Sequence, residues 1–481
     1  MKRGFQGNAA DKYVTSTSKY FLAALLVWGN TGAIAQESTG CPQRSGAELV
    51  SPSPEAQNFK FSEPDLELLR QVDALDQQIA DDHGLLYVDP EVEAYIQRIG
   101  CSVVPAHVPE RVAWHFRVLR DPVPNAFALA NGSVYINTGM LSRLENEAQL
   151  AGVLAHEVTH VVNRHTYRSF NDMRRKYVMM DVFQAATSAA PVAGASYPAM
   201  LALGNLVPLA VVQTTFGYRR ELEHDADVYA VRLLAKAGYD PKQMAHALDL
   251  LRHGPEVDLT VHPIFWADHP RLEARVKDTT ALADQMQGRG AAGRIEDTAY
   301  TSATRNAIRH DANLDLILGR PRTAVAIAKR LILLEPKNAE YYALLGEAYR
   351  ALGRRSPEPS PEELTNKGKD EARKKLRNLT PTEYEKALLT RPGGVEQWHA
   401  NSAAAERAFA QALELDSRNP AAHRGLGFLY EDANRPADAI TQLKTYLELA
   451  PEARDVHQVE LRIESLQQKS AVKKSATEGS Q

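Results

Sequence analysis

The chain has 481 residues, 44% of them hydrophobic, which is enough for two or three domains with real cores. Lys plus Arg total 56 and Asp plus Glu total 60, a formal net charge of −4. That balance excludes the strongly basic character of a nucleic-acid binder.

The N-terminus reads as an export signal. Lys2, Arg3, Lys12 and Lys19 flank or precede an apolar run, FLAALLVW, from Phe21 to Trp28. Ala33-Ile34-Ala35 follows as a small-x-small cleavage pattern, so residues 1–35 would be removed and Gln36 would begin the mature chain. The apolar run is too short for the roughly 20 residues that cross a bilayer, so cleavage is expected rather than an uncleaved anchor. Cys41 and Cys101 both fall in the mature part. A disulfide and two free thiols are both open at this point. Ser38-Thr39-Gly40-Cys41 lies too far from the apolar run, and lacks the leading aliphatic residue, for a lipoprotein box. Residues 36–59 read as a polar linker.

Helical spacing begins at Glu63 and predicts helices over 63–81 and 90–99. WHFRVL, Trp114 to Leu119, alternates like a strand. NAFALANGSVYINTG then gives two short strand-like runs around Asn131-Gly132, a strong hairpin dipeptide. Asn146, with Gln149 three residues on, resembles a capping box and opens a further helix. Leu150, Val153, Leu154, Val158, Val161 and Val162 form its apolar stripe.

That helix carries LAHEVTHVVNRH, Leu154 to His165. His156 and His160 are four residues apart, so both imidazoles share one face and can share one ion. Glu157 points to a neighbouring side, where it can act as general base. A histidine-rich core helix is the competing reading of these five residues. A third ligand must come from elsewhere. One zinc-protease class uses HExxHxxGxxH, but here Asn163 takes the glycine position and Thr166 the last histidine position, so that class is out. His165 lies about 140° round the helix from His160. It is expected to point away from the ion, as an imidazole favoured by the helix C-terminus.

Residues 182–218 carry no charged residue and are broken by Pro191, Pro198 and Pro208. Buried or cleft-covering elements are expected there, with peripheral membrane contact as the alternative. Residues 219–230 read RRELEHDADVYA. Glu223 and Asp227 lie four apart on one face. Glu223 can bind the ion while Asp227 hydrogen-bonds a ligand histidine. Glu221 and Asp225 are rivals by the same spacing.

Residues 286–300 read as a second linker. Beyond it, helical pairs recur with the tetratricopeptide period of 34: Ser417 stands 34 residues before Pro451. The clearest unit holds Leu426, Gly427, Tyr430 and Ala439. Phe409 and Ala412 belong to the unit before it, and Ala324, Ala328 and Leu331 to an earlier one. The repeat region is placed at 301–468, interrupted by an insertion at 354–400, with a disordered tail at 469–481. Stacked repeats of this kind offer a concave surface for a peptide or partner protein.

NAFALANGSVYINTGML, NEAQLAGVLAHEVTHVVNRH, RRELEHDAD and HPRLEAR together resemble the zinc metalloprotease family of HtpX, BepA and the CAAX prenyl proteases. The resemblance covers roughly 60–285, and the trailing repeats resemble the soluble periplasmic BepA type. It implies an α+β zincin-type metalloprotease domain, mostly helical with a small sheet, followed by an all-α tetratricopeptide repeat domain. It implies one Zn2+ per chain, held by His156, His160 and Glu223, with Glu157 as base and Asp227 behind a ligand. Family members usually show Ser-Arg before the second helix; here the pair is Arg219-Arg220, so only Arg220 matches. His269-Pro270 with Arg275 matches a further family element, and His262-Pro263 lies just before it. His269 is read as stabilising an oxyanion or as filling the open zinc position in a latent state.

An extended substrate can be held by an edge strand, here Asn125, Ala126, Phe127 and Ala128. The expectation is an exported, periplasmic zinc endopeptidase with protein or peptide substrates. The resemblance adds quality control of outer-membrane proteins, with the repeats meeting substrate or the assembly machinery. The rival is a periplasmic chaperone or scaffold with a latent or structural zinc site, the structural form closed by a fourth ligand such as His269 or His224. Glu157 argues against it, since a structural site has no use for a general base.

Overall fold

A computed structural model describes residues 41, 52–106, 109–175, 218–252, 272–287, 293–354 and 394–478. The expected export signal, nearly all of the uncharged segment, both His-Pro pairs and most of the repeat insertion lie outside the described residues. The described residues pack as two units, one ending at Asp311 and the other beginning at Ala312.

In the first unit, Cys41 is disulfide-bonded to Cys101. The pairing that the sequence left open is therefore made. A short helix α1, Pro54–Gln57, follows, with Ser53 accepting from the Ala56 N–H. Pro54 sits in the first turn, where its missing N–H has no partner to lose. The Ser53 N–H donates to Asn163 Oδ1 at 3.1 Å. The stretch expected as a linker is thus tied to the globular part at Cys41 and at Ser53.

Helix α2, Glu63–Asp81, opens on a Ser62/Asp65 capping box and buries Leu68, Leu69, Val72 and Ile79. Helix α3, Pro90–Val103, is capped by Asp89 and runs a turn beyond the predicted 90–99. Gly100 is the reason the two differ. It reads as a stop, but a β-carbon there would lie 2.4 Å from the Phe116 ring, so the glycine serves close packing inside the helix. The helix ends before Pro105, which disfavours helical backbone at Val104.

The sheet has three strands, β1 (His115–Leu119), β2 (Ala126–Ala128) and β3 (Ser133–Asn137), in the order β1-β3-β2. The Asn131-Gly132 turn joins β2 and β3 as the expected hairpin, with Gly132 at φ 103°. β1 pairs with β3 in parallel, leaving β2 at the edge. Phe127, Leu129 and Tyr135 pack against Leu68, Val72 and Ile79 of α2.

After α4, Thr138–Arg143, comes α5, Glu147–Val162, every residue of which is buried. A helix surrounded on all sides must be apolar nearly all round or must pair its polar groups. Glu147 does so with the hydroxyls of Tyr95, at 2.8 Å, and Tyr239, at 2.6 Å. Asn146 caps the helix by accepting from the Gln149 N–H. The Gln149 side chain accepts from the Glu145 N–H, one residue before the cap, so the expected capping box is shifted rather than closed. The chain turns at Asn163 and Arg164, the latter left-handed at φ 56°, and is helical again over 165–175. The unit continues with α6 (Arg220–Lys236), α7 (Lys242–Arg252), α8 (Leu272–Gln287) and the start of α9 (Asp297–Ile317). α6 packs along α5, and α8 packs on α6 and α7.

The second unit stacks α10 (Pro321–Leu334), α11 (Ala339–Gly353), α12 (Gly394–Leu415), α13 (Pro420–Asp432), α14 (Pro436–Leu449) and α15 (Val456–Glu478). Phe409 on α12 is its pivot. A β-carbon at Gly346 would lie 2.5 Å from that ring, and one at Gly425 would lie 2.2 Å away, so both neighbouring helices approach it through glycine. α12 begins at Gly394, so the insertion ends before the expected residue 400. α15 continues to Glu478 through Gln, Lys and Ala, all strong helix formers, where a disordered tail from 469 was expected. No helix among the described residues is long and apolar enough to cross a membrane.

Candidate metal centre

α5 and α6 meet with their acidic and imidazole side chains facing each other. His156 Nε2 and His160 Nε2 are 3.1 Å apart. Glu223 brings Oε2 to 3.6 Å from His156 Nε2 and Oε1 to 3.5 Å from His160 Nε2. All three residues are buried, and they form the metal-capable cluster among the described residues. Two imidazole nitrogens and a carboxylate oxygen are the donor set zinc prefers. Tetrahedral ligands at zinc's usual bond lengths lie about 3.3 Å from one another, close to the three separations seen here. The residues therefore fit the ion.

Burial disfavours a charged His156, but hydrogen bonds to Asp227 and Glu223 outweigh it and raise its pKa to about 9. Asp227 Oδ1 stands 3.1 Å from His156 Nδ1, the nitrogen turned away from the cluster. Arg275, from α8, then locks both acids. Its Nε and Nη2 donate to the two Asp227 oxygens at 2.8 and 2.7 Å, and its Nη1 lies 2.9 Å from Glu223 Oε2. Burial pushes against the Asp227 carboxylate, yet Arg275 and His156 together hold its pKa below the usual value.

Glu157 is buried on the neighbouring side of α5. Burial raises its pKa to about 8, opposed by His156, and the Ala128 backbone donates it a hydrogen bond. The strand alternation accounts for that donor. Asn125 and Leu129 make ladder bonds to Asn137 and Ser133, so Ala126 and Ala128 turn their backbone groups to the outer edge of β2.

The other candidates separate by burial. Glu221 and His224 are exposed on α6, and Asp225 faces His165 rather than the cluster. Arg220 is also exposed, in the first turn of α6, away from the buried acids. The buried guanidinium facing the two acids is that of Arg275, which the sequence reading noted without giving it a role. His269 lies outside the described residues. His165 stays out of the metal-capable cluster, as expected, but it is not the charged helix-end imidazole that was expected with it. Its ring is fully buried, burial lowers its pKa, and Nδ1 lies 3.0 Å from His160 Nδ1. The helix stops before it, so the 140° rotation assumed for one continuous helix does not apply. Tyr218, also missed, stacks on His160 with ring centres 3.9 Å apart and shares a hydrogen bond with Thr166.

A buried His-His-Glu cluster with an adjacent glutamate on an HExxH helix defines a gluzincin-like metallopeptidase site. Residues 89–283 match Peptidase family M48, and residues 401–463 match a tetratricopeptide repeat. The chain thus carries an M48 peptidase domain followed by tetratricopeptide repeats, as the sequence resemblance implied. It is 30% identical over 206 residues to the "Beta-barrel assembly-enhancing protease" of Escherichia coli (strain K12), covering 41% of this chain and 40% of that protein. A "Putative beta-barrel assembly-enhancing protease" of Vibrio cholerae is 29% identical over 201 residues, 41% of this chain and 40% of its own length. The "Mitochondrial metalloendopeptidase OMA1" of Schizosaccharomyces pombe is 30% identical over 183 residues, 38% of this chain and 50% of its own length. The chain thus spans two-fifths to one half of the length of these three relatives.

Metal and proton compete at His156. With its pKa raised to about 9, the metal-free imidazole is protonated at neutral pH, and a bound cation must displace that proton. Zinc affinity is therefore expected to rise with pH through neutrality, by about tenfold per pH unit for each proton released. Zinc titrations against a competing chelator at several pH values measure this; a flat profile would contradict it.

Proposed function

We propose that the chain is an exported zinc endopeptidase that cleaves unfolded or misassembled proteins. Its repeats dock the substrate or a partner, and its task is quality control of outer-membrane proteins. The observation that carries the peptidase reading is a general base, Glu157, buried beside a three-ligand cluster whose own acids are locked by Arg275. The names of the bacterial relatives support the outer-membrane role. The Cys41–Cys101 disulfide supports an oxidising compartment.

His156, His160 and Glu223 would hold the zinc. Zinc, when bound, polarises a peptide carbonyl and lowers the pKa of a water towards neutrality. Glu157 accepts that water's proton and returns it to the leaving amine. Its burial directly beside the cluster places it for both duties. The Ala128 N–H keeps the carboxylate aimed along the edge of β2. An extended substrate would lie against that same edge, over Asn125 to Ala128, by backbone hydrogen bonding. In the rival scaffold reading a fourth strong ligand would close the site. His224, one candidate for it, is exposed on α6.

The direct test is digestion of an unfolded outer-membrane β-barrel protein by residues 36–481. Cleavage should stop with a zinc chelator and return with zinc; no cleavage under any zinc loading would contradict the reading. Ala128→Pro probes the edge strand. It removes the N–H that reaches Glu157 and blocks strand addition at that point. It is expected to raise KM or abolish cleavage while zinc stays bound. Unchanged kinetics in a folded variant would remove β2 from substrate binding.

A further inference from the structure

We propose that His165 and Asp225 are positioning residues that set the tautomer of His160 and keep its Nε2 lone pair turned into the metal cluster. The proposal rests on the metal-centre reading above. It begins from three atoms in line. Asp225 Oδ2 lies 3.0 Å from His165 Nε2, and His165 Nδ1 lies 3.0 Å from His160 Nδ1.

Proton counting fixes the direction of this chain. A carboxylate only accepts, so His165 Nε2 carries a proton and donates it to Asp225. The two facing Nδ1 atoms can hold one proton between them. With a neutral His165, that proton sits on His160 Nδ1 and leaves His160 Nε2 bare, facing His156 and Glu223. The reverse arrangement would need a cationic His165. It would also put the His160 proton on Nε2, where a metal must bind.

The two ligand histidines are thus held by different devices. His156 Nδ1 meets a carboxylate directly, that of Asp227. His160 reaches Asp225 through an imidazole spacer. The left-handed Arg164 makes the spacer available, by turning the chain so that His165 comes back beneath His160. Asn163 steadies the far end, donating from Nδ2 to the same Asp225 oxygen at 2.9 Å. Outer partners of metal-bound histidines are a common means of fixing ring orientation.

The test is zinc affinity, by competition with a chromophoric chelator, together with the visible spectrum of the Co2+-loaded protein. His165→Leu keeps the volume and removes the acceptor, and should weaken zinc by about 10–100-fold and shift the cobalt bands. His165→Gln restores an acceptor for His160 and a donor for Asp225, and should stay within about threefold of wild type. Asp225→Ala alters a half-buried side chain and decides the matter if the leucine variant does not fold; it should weaken zinc by about tenfold. Wild-type affinity in the leucine or alanine variant, or a glutamine variant as weak as leucine, would overturn the relay while leaving the metal centre standing. A wild-type chain that binds no zinc would overturn both.

Discussion

Glu157→Gln is expected to leave zinc bound and to reduce cleavage by at least about 10²–10⁴-fold, the usual worth of a positioned general base. The substitution is unusually clean here. Burial already holds Glu157 towards its neutral form, with a pKa of about 8, so a neutral amide of the same shape suits the site. The Ala128 N–H keeps an acceptor in the glutamine oxygen. The ligand atoms of His156, His160 and Glu223 are untouched. What is lost is the ability to take a proton. Metal content and peptide release, measured on the same preparation, check this. Cleavage at the wild-type rate would remove Glu157 from the chemistry.

Arg275→Met is expected to have the largest effect on stability. The guanidinium is buried and faces two buried carboxylates, Asp227 and Glu223, at 2.7 to 2.9 Å. Removing one partner of a buried ionic group leaves the others unneutralised, at a cost of about 3–5 kcal/mol. Zinc adds positive charge beside Glu223, so its binding should restore part of the loss by stabilising only the folded form. Thermal unfolding with and without zinc measures both. The metal-free variant should melt well below wild type, with a larger zinc-induced rise. An unchanged melting curve would show that the acids do not depend on Arg275.

The local features of this site were legible because they follow from helical periodicity alone. His156, Glu157 and His160 share one helix, and the four-residue spacing puts both imidazoles on one face. Glu223 was legible only as one of several acids, with Glu221 and Asp225 at equivalent spacing; burial is what separates them. Arg275 could be noticed but not given a role, since it meets Asp227 across 48 residues of chain. Arg220, the catalytic candidate carried over from the family's Ser-Arg pattern, is exposed.

His165 was misjudged for a more instructive reason. Its direction was computed for a helix that continues, whereas the helix caps at Asn163 and Arg164 turns left-handed. Asn163 was the available signal, since asparagine is frequent at helix ends. In the repeats, Phe409 and Gly427 were legible from the 34-residue period, and the helix limits at Gly394 and Glu478 were not. Pro392-Gly393-Gly394 and Gly479 were the available signals for those two ends, and they were passed over.

Diffraction from crystals of the zinc-loaded chain, recorded on both sides of the zinc absorption edge, tests the central claim most directly. The account predicts a single anomalous peak bonded to His156 Nε2, His160 Nε2 and Glu223, with Glu157 beside it and no fourth protein ligand in the active form. A peak elsewhere, or a fourth side chain closing the site in a form that cleaves protein, would contradict it.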